Sequence, residues 1–85
     1  MGINDAVVAI EKFLLTYDGG SGKPASVQVR PSGDDINTIK IYVDLGEGKR
    51  VNADAWERAC AAAIREALPD TQAFQLEVRA EADPG

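Results

Sequence analysis

Residues 38–45 constrain the fold most. Ile39, Ile41, Val43 and Leu45 alternate with Thr38, Lys40, Tyr42 and Asp44, the period of two that a strand with one covered and one wetted face imposes. Such a strand cannot stand alone, because its apolar face needs a second layer and its backbone needs neighbours. Just upstream, Val27 and Val29 alternate with Gln28 and Arg30, and the intervening Pro31-Ser32-Gly33-Asp34-Asp35 is made of turn formers. The short connection predicts an antiparallel hairpin of residues 26–30 and 37–45. Gly46-Glu47-Gly48-Lys49 turns the chain again, and Arg50-Val51 is a candidate for a brief edge strand.

Two other segments repeat at helical spacing. Around residues 4–17, Ile3, Val7, Ile10, Leu14 and Tyr17 share one stripe, widened by Ala6 and Phe13. Asn4 or Asp5 is placed to cap this helix, and Asp18-Gly19-Gly20 to stop it. At about 100° per residue, Val8 and Leu15 lie roughly a quarter turn beyond that stripe. Residues 53–68 carry a second stripe of Trp56, Ala59, Cys60, Ala63, Ile64 and Ala67, opened by Asn52 as the cap and ended by Pro69. A last strand follows, with Phe74, Leu76, Val78 and Ala80 inward and Gln75, Glu77 and Arg79 outward. Residues 81–85 read as an acidic tail behind a single domain of residues 1–80.

The element order α-β-β-α-β predicts an α+β fold of two layers, with two helices on one face of a small mixed sheet of three, or at most four, strands. The crossover through the second helix should return parallel to the second strand. Periodicity leaves the strand order open: the last strand can flank the second, or pair antiparallel with the first. The outline resembles the cytoplasmic regulatory domain of cation-diffusion-facilitator metal transporters, through Val27-Gln28-Val29-Arg30 in the hairpin and Leu76-Glu77-Val78-Arg79 in the terminal strand. The resemblance implies architecture alone. That family's domain holds metal largely through histidines, this chain has none, and no site carries over.

The lack of histidine removes the usual general base, the Ser–His and Cys–His nucleophile pairs and imidazole ligands. Cys60 is the only cysteine and sits on an apolar stripe, where a thiol packs instead of reacting. Asp34-Asp35, with Asp44 nearby, is the nearest thing to a cation site, but adjacent aspartates beside a glycine are turn formers first. Gly22-Lys23 fails as a phosphate loop, because Pro24 stands where Ser or Thr is needed and a helix precedes it. The expectation is a chain without catalytic residues, metal or cofactor, and with no small-molecule substrate.

Charge narrows the partners. The net charge is −5, and residues 51–85 hold most of the excess, which argues against a general nucleic-acid binder. The unpaired cysteine, the absence of a basic leader and the lack of a long apolar run point to a reducing, cytoplasmic setting away from membranes. Two surfaces remain. Val8 and Leu15 are surplus apolar groups for an interface, and the open sheet face collects Arg30, Lys40, Tyr42 and Arg79. The expected function is a non-enzymatic protein-interaction domain, a homodimeric accessory, adaptor or inhibitory protein. The alternatives are a single-strand nucleic-acid platform on the sheet face, or an acidic inhibitor of a nucleic-acid-handling enzyme.

Overall fold

The structure is a computed structural model that describes residues 2–19, 23–47 and 51–83. Residues 20–22 of the glycine loop, 48–50 of the expected turn and edge strand, and 84–85 of the expected tail lie outside the described residues. Helix α1 (Ile3–Leu14) leads into β1 (Ser26–Pro31) and β2 (Thr38–Glu47), then α2 (Ala53–Ala67), a 3-10 helix (Pro69–Ala73) and β3 (Gln75–Asp83). The described residues form a three-stranded mixed sheet in the order β1-β2-β3. β1 runs antiparallel to β2 from Ser26↔Asp44 to Pro31↔Ile39. β3 runs parallel to β2 from Thr38↔Gln75, with an irregularity between Asp44 and Glu47. Of the two strand orders open to the sequence, the last strand takes the place beside the second.

The alternation of residues 38–45 does what it predicts: Ile39, Ile41, Val43 and Leu45 are buried under the helices with Ala6, Ile10, Leu14, Trp56, Cys60 and Ile64. Covering an aliphatic side chain of this size stabilises the fold by about 1.5–3 kcal/mol. α1 packs over β1 and α2 over β3. No helix among the described residues is long and apolar enough to cross a membrane.

Several boundaries differ from the sequence reading. α1 starts one residue early, so Gly2 occupies the N-cap without a side-chain hydrogen bond, and Asn4 and Asp5 fall in the first turn. It also ends at Leu14, short of Tyr17. α2 buries a narrower stripe than its alanines suggest: Trp56, Cys60 and Ile64 are covered, Ala63 is half-buried, and Ala59 and Ala67 are exposed. Val51 packs against the core outside any strand. β3 continues through Asp83, with Glu81 opposite Asp44. Residues 81–83, expected as tail, therefore belong to the sheet.

Candidate functional site

Period-two alternation turns every second residue of the three strands to the side away from the helices. The register sets them in rows: Ser26, Asp44 and Glu81; then Gln28, Tyr42 and Arg79; then Arg30, Lys40 and Glu77. A depression of about 400 Å³ lies over this face, lined by Ser26, Gln28, Arg30, Tyr42, Asp44 and Arg79 among others. Of the four residues expected on the face, Arg30, Tyr42 and Arg79 come together around the depression. Lys40 sits one row away, half-buried between Arg30 and Glu77. The Arg30 guanidinium carbon stands 5.1 Å from the Tyr42 ring centroid, a cation–π contact that covers the one aromatic ring of the face. The acidic row of Asp44 and Glu81 closes one end.

Asp44, and Asp35 in the hairpin turn, also have local work. Asp44 Oδ1 accepts the Gly46 N–H at 2.8 Å, which steadies a glycine at φ +95°. Asp35 Oδ1 accepts the Asn37 N–H at 2.8 Å. Both are the backbone-capping turns that adjacent aspartates favour. Among the described residues no group of three or more His, Cys, Asp or Glu side chains is placed to hold a metal ion.

The second surface is α1. Val8 is 53% and Leu15 61% exposed, so neither is covered by α2. Phe13 lies on the flank of α1 that faces α2: its ring is 5.4 Å from Tyr17, which meets Trp56 edge-on at 5.8 Å. Val8 and Leu15 continue round the helix from Val7, on the other flank, away from α2. Ile36, in the turn between β1 and β2, is 83% exposed. An isolated apolar residue among turn formers carries no periodic signal, and sequence reasoning passed over it.

Sequence reasoning also missed two polar residues of α2, one tying it to β3 and one to the 3-10 helix. Glu57 Oε2 accepts the Ala80 N–H at 2.8 Å, and the Arg65 guanidinium donates to the Thr71 and Phe74 carbonyls at 3.1 and 3.0 Å. Thr71 is itself fully buried, its hydroxyl donating to the Leu68 carbonyl at 2.6 Å. Cys60 is wholly covered, and burial pushes its thiol from an ordinary 9.0 up to about 12. It is a core side chain held far from the thiolate form that nucleophiles need. Burial, then the nearby Cys60 and Asp18, also raises the Tyr17 hydroxyl above its usual 10.0.

Comparison with protein-family models, with curated proteins and with solved structures finds no match for this chain.

Proposed function

We propose that this chain is a non-enzymatic protein-interaction domain whose first partner is a second copy of itself, working as an accessory, adaptor or inhibitory protein. The observation that carries the reading is the placement of Val8 and Leu15 together on the outer side of α1, more than half exposed, while the stripe residues of that helix pack into or against the core. Apolar groups gathered on one flank are what a two-fold partner covers, each copy presenting the same surface. Light scattering on a sizing column tests it. A dimer at micromolar concentration that Leu15→Glu dissociates supports the reading, and a monomer at high micromolar concentration rejects it.

A second reading has its own observation. Arg30, Tyr42 and Arg79 line one depression, the chemistry that meets phosphates and stacked bases in single strands. Against it stand Asp44 and Glu81 in the same hollow, and a ring already covered by Arg30. Fluorescence anisotropy with a single-stranded oligonucleotide at low salt decides the matter. Binding lost in Lys40→Ala with Tyr42→Ala favours this reading; undetectable binding removes it.

A further inference from the structure

Among the described residues the three-stranded sheet has two unpaired edges, and the backbone shows that they differ. On β1, the Ser32 N–H donates to the Thr38 carbonyl at 2.9 Å, continuing the register of the strand pair. In an antiparallel ladder such pairs alternate, so Arg30, Gln28 and Ser26 turn their backbone groups to β2. Val27 and Val29 turn theirs to the open edge. Pro31, next in that outward series, has no N–H to offer. Ala25 lies outside the series because its N–H is already spent on the Asp44 carbonyl at 2.8 Å. The open edge of β1 is thus a run of two outward donor–acceptor residues, closed at both ends.

On β3, the Gln75 N–H reaches the Asn37 carbonyl at 2.7 Å beside the parallel pair. Odd residues therefore face β2, and Leu76, Val78, Ala80 and Ala82 face outward. The Glu57 carboxylate occupies the Ala80 N–H in the middle of that row. An incoming strand would have to displace a hydrogen-bonded charge, the kind of obstacle that keeps edges from pairing. One edge is guarded and the other is not.

We infer that β1 of one copy pairs antiparallel with β1 of a second copy about a two-fold axis at Gln28, joining two three-stranded sheets into one of six strands. This rests on the self-association proposed above and names its geometry. The axis sets Val27 opposite the partner's Val29, so that the outward groups of both residues are satisfied reciprocally by four hydrogen bonds. It sets Gln28 opposite the partner's Gln28, amide against amide. It also sets Arg30 opposite the partner's Ser26, a short uncharged side chain, so that no like pair is opposed across the seam. Both α1 helices then stand on the same side of the joined sheet. Pro31 and Ala25 limit the pairing to five residues, and because the two-fold spends the β1 edge of both copies while Glu57 guards β3, the assembly closes at two copies.

The test is the dimer dissociation constant of the full chain, by analytical ultracentrifugation, in variants checked for an unchanged circular dichroism spectrum. Val27→Pro removes one outward donor from each copy without touching the β1–β2 ladder, and is expected to weaken the dimer about tenfold or more. Ser26→Arg, which opposes guanidinium to guanidinium, should weaken it as well, and adding Arg30→Glu should restore it. Ser26 and Arg30 stand four residues apart on one strand, so that restoration reports a contact between copies. A wild-type chain that is monomeric overturns both this geometry and the self-association. A dimer indifferent to Val27→Pro and Ser26→Arg but dissociated by Leu15→Glu overturns the β1 pairing and leaves the self-association standing.

Discussion

The two flanks of the sheet are built by different means. On the β3 side, α2 is capped by Asn52, whose side chain accepts the Ala55 N–H at 3.1 Å. It is tied to the strand by Glu57 and to the 3-10 helix by Arg65. On the β1 side, α1 begins at a glycine with no side-chain cap, and among the described residues the large exposed apolar side chains, Val8, Leu15 and Ile36, belong to that half. One flank is fastened by polar side chains reaching buried backbone, and the other rests on apolar packing with surface to spare. Rigidity and free surface have been assigned to opposite ends of one small sheet.

Breaking the fastened flank should cost most at Arg65. Arg65→Leu leaves the Thr71 and Phe74 carbonyls without their donor in a part-buried setting. Each charge-assisted bond is worth about 1.5–3 kcal/mol, and a loss of about 3 kcal/mol should appear in urea unfolding. Alkaline pH attacks the same flank through Cys60. Its thiol stays protonated in the fold up to about 12, against an ordinary 9.0. Between those values the unfolded chain binds fewer protons, so stability falls as pH rises through that window, by at most about 1.4 kcal/mol per unit. Cys60→Ala should lose that part of the slope, as read by denaturant midpoints between about pH 8 and about pH 11.

Smaller effects sharpen the contrast. Glu57→Ala frees the Ala80 N–H, and native-state hydrogen exchange at that amide should quicken about tenfold, equivalent to ~1.4 kcal/mol. Wild-type Leu76, Val78 and Ala82 should already exchange faster than Ala80. Asn52→Ala should cost about 1 kcal/mol in a thermal melt. Gly2→Ser should do the opposite to the loose flank. Gly2 holds an extended conformation, and an added Cβ meets nothing closer than Asp5 Oδ2 at 3.7 Å, so a hydroxyl cap should stabilise α1 by a few tenths of a kcal/mol.

The layers were legible because burial writes its period into the chain. Ile39, Ile41, Val43 and Leu45 could face only one way, and Val8 and Leu15 stood off their stripe. Strand order was not legible, since alternation tells a strand which face is covered and says nothing of which neighbour lies alongside. For the same reason Glu57 and Arg65 looked like solvent-facing helix residues: their partners are backbone atoms of β3 and of the 3-10 helix, whose positions periodicity does not give. The stripe of α2 misled in another way. Alanine is compatible with either face of a helix, so Ala59 and Ala67 widened the apparent apolar side without being covered. On the sheet face the residue types were readable, but the approach of Arg30 to Tyr42 depends on a diagonal between rows that only the register supplies.

Trp56 gives the molecule an optical gauge of its own. It is the only tryptophan, 4% exposed, and among the described residues its indole N–H has no hydrogen-bond partner. It lies where the end of α1 meets α2, under Gly19, where even a methyl group would come within 2.8 Å of the indole nitrogen. An indole kept dry and unbonded emits toward the blue, and water reaching it shifts the light to the red. The colour of that one ring therefore registers whether the loose flank is seated on the fastened one. Separation of α1 from α2 would show as a red shift even while the helical and sheet content of the chain stayed unchanged.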